Sequence, residues 1–215
     1  MELKGKTAIV TGSGRGIGAG IALVLAREGA NIVINDRTLS TDAEGMVKKI
    51  EAMGGKAFAV AADVSKKDQV TAMTAAAVKQ FGAIDILVNN AGIESHPVLA
   101  MDLAEESWDR VMGVNLKGAF LCCQAVIPQM MKQNKGRIVN IGSVAGLRMT
   151  FFGSVEYTAS KYGLEGLNNH LAWELADSNI TVNTVCPGAV QTPLMEAGTT
   201  PEYRAMTIKR LIPLG

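Results

Sequence analysis

The chain has 215 residues, 48% hydrophobic and 19% charged, with 21 basic against 20 acidic side chains and a net charge of +1. That composition can fill a core and excludes bulk disorder. The near-neutral balance offers no basic face for nucleic acid or an anionic membrane.

Met1 to Lys6 carries no apolar signal core, and no apolar run is expected to reach the length of a membrane span. The protein is expected to be cytoplasmic. A buried strand is predicted over 7–10, ending in a glycine turn, then a helix over 16–28 closed by Gly29. Strand 32–35 ends at Asp36, helix 42–53 closes on Gly54 and Gly55, and strand 57–62 leads to helix 67–81, closed by Gly82. Strand 84–88 is followed by one long helix over 105–131, strand 137–141, helix 157–176 and strand 180–185. Apolar strands alternating with helices predict an α/β fold, a doubly wound parallel sheet covered on both faces. No linker or repeat interrupts residues 1–215, so a single domain is expected. The three cysteines, Cys122, Cys123 and Cys186, include an adjacent pair and form no Cys-x-x-Cys or His cluster. Neither a disulfide framework nor a metal site is expected from them.

Thr11-Gly-Ser-Gly-Arg-Gly-Ile-Gly18 joins the first strand to the first helix, with glycines at 12, 16 and 18. Glycines there let the backbone turn sharply and approach a pyrophosphate, whose charge meets a helix N-terminus. A tight turn without a ligand would need the same residues. The position straight after the first strand, and Asp36 at the end of the second, favour a dinucleotide. A carboxylate at 36 accepts bonds from ribose hydroxyls and repels a 2′-phosphate, so NAD is favoured over NADP. Arg15 and Arg37 are the residues that could meet a 2′-phosphate instead.

Tyr157 and Lys161 lie four apart on a predicted helix and share a face. An ammonium close to a phenol favours phenolate and prepares Tyr157 for proton transfer. Ser143 follows the fifth strand, where ligands gather in a parallel sheet, and its hydroxyl can hold a substrate oxygen. A Tyr-x-x-x-Lys pair alone is more often a plain helix surface, and Ser143 alone a turn residue.

The sequence resembles the short-chain dehydrogenase/reductase family along essentially its whole length. The matching pieces are the glycine turn, Ala62-Asp-Val64, Asn89-Asn-Ala-Gly92, Val114-Asn-Leu116, Gly142-Ser143, Tyr157-Thr-Ala-Ser-Lys161 and Pro187-Gly188. The resemblance implies a Rossmann-like three-layer fold and a catalytic tetrad of Asn115, Ser143, Tyr157 and Lys161, in which Asn115 holds a water leading to the lysine. It implies cofactor contacts at Gly12, Arg15, Gly16, Ile17, Gly18, Asp36 and Arg37. Asp63 and Val64 are expected to flank the adenine. Asn90, Ala91 and Gly92 are expected along the adenosine ribose side. Tyr157 and Lys161 are expected at the nicotinamide ribose, with Pro187, Gly188, Val190 and Thr192 bordering the nicotinamide. Relatives continue past Gly215 with a helix and a seventh strand, so the sheet is expected to lack its last edge strand here and the chain to be an incomplete copy.

The activity implied is hydride transfer between a nicotinamide and a secondary alcohol or ketone. A sugar, polyol or other small hydroxy compound is the favoured substrate, with a 3-oxoacyl carrier-protein reductase as the alternative. For that alternative, the loop Lys132-Gln-Asn-Lys135 offers the only noted basic charge for an acidic carrier. A non-catalytic dinucleotide sensor is the alternative of another class. Pocket candidates are Glu94, His96, Val144, Arg148, Phe152, Gly188 and Met195. The helix over 157–176 is apolar on more than one side, which predicts a homodimer. The resemblance adds a homotetramer.

Overall fold

The computed structural model describes residues 1–94, 97–149 and 153–212. His96 and Phe152, both expected at the pocket, lie outside the described residues. Among the described residues, six strands form one sheet: β1 (Thr7–Val10), β2 (Asn31–Asp36), β3 (Lys56–Ala61), β4 (Ile86–Asn89), β5 (Gly136–Ile141) and β6 (Ile180–Val185). Their order is β3-β2-β1-β4-β5-β6 and every pairing is parallel. This is the doubly wound topology read from the alternation.

Strand periodicity assigns the two faces. Ile9, Val33, Leu87, Ile138 and Val182 point to one side. They meet Met73 of α3 (Lys67–Phe81), Val126 and Met130 of α5 (Ala119–Lys132) and Leu171 of α6 (Val155–Glu174). Ala8, Val10, Ile32, Ile34, Ile86 and Val88 point to the other. There they pack on Ala22 and Ala26 of α1 (Gly16–Arg27) and on Met46 and Ile50 of α2 (Thr41–Ala52). Local signals fix the helix ends. Ser40 caps α2 by accepting from the Ala43 amide, and α3 stops at Gly82, whose φ is 81°.

The sheet order reverses between β1 and β4, which opens a crevice at the carboxyl ends of these strands. β1 and its glycine turn supply one wall. The ends of β4, β5 and β6 and the first turns of α6 supply the other.

The predicted long helix is not continuous. It runs as α4 (Glu105–Met112), widens to a π-helix over Gly113–Gly118, and resumes as α5. Together, Glu105–Lys132 is long and apolar enough to cross a membrane by length and composition, contrary to the expectation that no run is. In the fold it lays Leu121, Cys122, Cys123, Val126 and Met130 against the sheet. Two helices were not foreseen: α7 (Pro193–Gly198) and α8 (Pro201–Leu211), each with a Pro in its first turn after a Thr cap. β6 stands at an edge of the sheet, with Thr181, Asn183 and Val185 exposed. Phe120 on α5 and Tyr162 and Trp173 on α6 are also exposed, Trp173 at 76%.

Candidate active site

The glycine turn is held by its neighbours rather than by its own length. Gly12 and Gly16 have φ of 61° and 60°, which a side chain rarely tolerates. The Asn90 amide donates to the Thr11 and Gly12 carbonyls at 2.8 and 2.9 Å. The Thr11 hydroxyl accepts from the Asn90 and Ala91 amides, both at 3.0 Å. Asn90 therefore spends its side-chain amide bracing the turn. Arg15 precedes α1 in extended backbone, with no side chain capping the helix. Gly18 is buried and Ile17 half-buried in the first turn. The first turn holds no acidic residue, so its free N–H groups and positive helix end suit a phosphate.

Asp36 stands at the end of β2 beside this turn. A Cβ on Gly14 would lie 2.7 Å from its Oδ2, and its Oδ1 accepts from the Arg37 amide at 2.8 Å. Arg37 is exposed, and its charge acts on Asp63. Burial works against ionisation of Asp63. Hydrogen bonds from the Ser65 hydroxyl and amide, with Lys66 and Arg37 nearby, outweigh it and hold the carboxyl below its usual range. The Val64 side chain is in the core beside Gly118, which leaves its backbone for the groove. Ala91 packs on the same core. These residues fit a dinucleotide, with the turn for its phosphates and Asp36 for a ribose.

Across the crevice, Ser143 lies two residues beyond β5, and its Oγ accepts from the Ala145 amide at 3.1 Å. Tyr157 is in the first turn of α6. Burial pushes its phenol up to about 12; a hydrogen bond with Ser143 opposes the rise and Glu94 adds to it. The depression expected from Lys161 is not found: the phenol is raised, with burial the main cause. Lys161 Nζ lies 5.7 Å from the Tyr157 ring centroid and donates to the Ile141 carbonyl at 2.8 Å. Burial draws Lys161 down to about 8, against the opposing pull of Cys186, Glu165 and Glu94. Burial likewise pushes Glu94 up to about 7, with Lys161 pulling the other way. Among the described residues, Glu94 is thus the one pocket candidate that acts electrostatically on both Tyr157 and Lys161.

Asn115 falls inside the π-helix and is 2% exposed. Its Oδ1 accepts from the Ile93 amide at 2.8 Å, while Nδ2 donates to the Ile93 carbonyl at 2.9 Å and to Ser160 Oγ at 3.1 Å. The wide turn swings Asn115 inward, a frequent use of π-helix at functional sites. Its amide clamps the loop that carries Gly92 and Glu94. A Cβ on Gly92 would lie 3.6 Å from Asn115 Oδ1 and 3.9 Å from Lys161 Nζ.

The segment after β6 closes the crevice. The Pro187 carbonyl accepts from the Val144 amide at 3.0 Å, tying it to the Ser143 turn. Gly188 and Val190 are exposed beyond it. Thr192 caps α7 and lies 3.8 Å from where a Gly16 Cβ would be, so it reaches over the glycine turn. Val144 and Met195 are half-buried and Arg148 is exposed. The sequence reading missed Thr11, Ser160 and Glu165. Only Glu165 had a simple signal, its i, i+4 spacing from Lys161.

A parallel sheet with a glycine turn at its crevice and Ser, Tyr and Lys on the opposite wall defines an oxidoreductase that uses a nicotinamide dinucleotide. A model of the short chain dehydrogenase family matches residues 6–202, and the chain belongs to that family. It is 45% identical over 192 residues to the 3-oxoacyl-(acyl-carrier-protein) reductase of Staphylococcus epidermidis, covering 89% of this chain and 78% of that protein. The Thermotoga maritima reductase of the same name is 40% identical over 215 residues, covering 100% of this chain and 85% of that protein. Among solved structures, a protein assigned as a short-chain alcohol dehydrogenase from Sinorhizobium meliloti 1021 superposes with a TM-score of 0.90 at 38% identity. That match covers 97% of this chain and 82% of the other.

Proposed function

We propose that this chain reduces a 3-oxoacyl thioester to its 3-hydroxy form, with Tyr157 as the proton donor. The substrate class is supported by the names of relatives 40–45% identical over most of their lengths, which favour the alternative over the sugar or polyol reading. The observation that carries the chemistry is Tyr157, hydrogen-bonded to Ser143 and pushed up to about 12 chiefly by burial. Such a phenol is protonated at neutral pH, as reduction requires. A bound nicotinamide supplies the hydride. Ser143 orients the carbonyl oxygen and steadies its growing charge. Lys161 brings positive charge beside Tyr157, and Asn115 holds the loop that borders both.

We infer NAD as the cofactor from the Asp36 carboxylate beside the glycine turn. The loop Lys132-Gln-Asn-Lys135 does not support carrier docking at the crevice. It precedes β5, at the opposite end of the sheet, and Lys135 pairs with Asp85 at 3.6 Å. A second reading, a small polyhydroxy alcohol, is favoured by Glu94, whose carboxyl could accept substrate hydroxyls beside Tyr157. The exposed Phe120, Tyr162 and Trp173 support a homodimer through α5 and α6.

The test is a panel with both cofactors: acetoacetyl-CoA and an acetoacetyl carrier protein for reduction, polyols and simple secondary alcohols for oxidation. The proposal expects kcat/KM at least about tenfold higher for a thioester, roughly 1.4 kcal/mol of transition-state preference. Preference for a polyol would support the second reading. Dinucleotide binding with no turnover would support a sensor.

A further inference from the structure

Beside Lys161, where β5 and β6 end, the fold seats a second acidic side chain. Glu165 lies one turn along α6 from Lys161, on the same face. The Cys186 thiol donates to its Oε1 at 3.3 Å. Two glycines around Ser143 make the room. A Cβ on Gly142 would lie 2.8 Å from Glu165 Oε1 and 3.1 Å from Cys186 Sγ. One on Gly146 would lie 3.4 Å from Glu165 Cγ and 2.9 Å from the Lys161 carbonyl oxygen.

Lys161 needs such a neighbour. It is 5% exposed, and its one hydrogen bond partner among the described residues is the neutral Ile141 carbonyl. A buried ammonium without an anion nearby tends to lose its proton. The titratable groups that face it are Tyr157 and Glu165 on α6, Glu94 after β4 and Cys186 after β6. Tyr157 is a neutral phenol at pH 7. Burial and the Glu165 carboxylate both push the Cys186 thiol up, so it too is neutral there. Glu94, at about 7, is only half ionised. Of these, Glu165 is the carboxyl that the fold fixes in place on the same helix face, through Cys186 and the space left by Gly142 and Gly146.

We propose that Glu165 is a positioning residue for the reaction: its carboxylate keeps Lys161 protonated beside Tyr157, and through the Cys186 thiol it fixes where β6 leads into Pro187 and Gly188. The proposal rests on the roles of Tyr157 and Lys161 given above. If Glu165 only filled space, a neutral side chain of the same shape would serve equally well.

The test replaces Glu165 by Gln and, separately, by Met, so that misfolding of one leaves the other. Glu165→Asp is the charge-retaining control. Lys161 is titrated by NMR in protein labelled with carbon-13 lysine, its signal assigned by loss in Lys161→Met. Removing the carboxylate should lower the Lys161 titration by at least about half a unit, roughly threefold in proton affinity. Glu165→Asp should stay close to wild type. The alkaline limb of the turnover profile should move to lower pH in step. An unmoved Lys161 titration in the neutral variants overturns the proposal whatever turnover does, as does an equal shift in Glu165→Asp. A lowered titration with an unmoved turnover profile leaves the role of Glu165 standing and overturns that of Lys161.

Discussion

Replacing Asn115 by Leu, close to it in shape, tests whether the π-helix exists to turn this amide inward. The wild-type amide satisfies the Ile93 N–H and C=O at 2.8 and 2.9 Å, from a position 2% exposed. Ser160 loses less, because its hydroxyl still donates to the Tyr157 carbonyl at 2.7 Å. Two backbone groups are therefore stranded. Each costs about 1–3 kcal/mol when left unpaired in a buried site, so the total is roughly 2–6 kcal/mol. That is a large part of the stability of an ordinary domain, about 5–15 kcal/mol. Urea unfolding of the two proteins, followed by circular dichroism, measures it. The m-value should be unchanged and the midpoint lower. A loss below about 1 kcal/mol would mean that the Ile93 groups find water or other partners and that Asn115 does not hold the loop.

Three further outcomes follow from the same geometry. Asp36→Ala should weaken NAD binding by about tenfold or more, the worth of a charge-assisted hydrogen bond, and narrow the preference over NADP; titration of both dinucleotides by calorimetry checks it. A wild type that prefers NADP would promote Arg15 and Arg37 instead. Glu94→Gln should stabilise the fold more at pH 8 than at pH 5. Glu94 titrates at about 7 when folded against 4.5 as a model group. The native state then binds more protons between those values, and stability falls as pH rises through them; melting temperatures at the two pH values decide it. Sedimentation at micromolar concentration should give a dimer, and Trp173→Glu with Phe120→Glu should give a monomer. A wild-type monomer would refute the argument from the exposed faces of α5 and α6.

What could be read in the sequence was local. β1, α3 and β6 fall on their predicted residues because apolar runs there end in unambiguous stops, such as Gly82. The Ser143, Tyr157 and Lys161 wall was legible because one strand end and one helix turn carry it. The Thr192-Pro193 and Thr200-Pro201 pairs were equally clear signals for α7 and α8 and were passed over. The π turn at Gly113–Gly118 was not legible: hydrophobic periodicity does not distinguish one wide turn inside a long helix. The bracing role of Asn90 and the inward burial of Val64 each depend on contacts between distant elements. No spacing along the chain announces them. The Tyr157 phenol shows the same limit, since burial, which no spacing announces, raises it where the Tyr-x-x-x-Lys spacing predicted a fall.

The account turns on Tyr157 as the proton donor, and Tyr157→Phe tests it most directly. The substitution removes one hydroxyl and leaves the glycine turn and Asp36 untouched. Turnover on the best substrate of the panel and dinucleotide affinity are measured on the same preparation. The account predicts a fall in kcat of about 10²–10⁴-fold, the usual worth of general acid–base catalysis, with the dinucleotide dissociation constant within about threefold of wild type, under 1 kcal/mol. A variant that keeps more than a few per cent of the wild-type rate would contradict it.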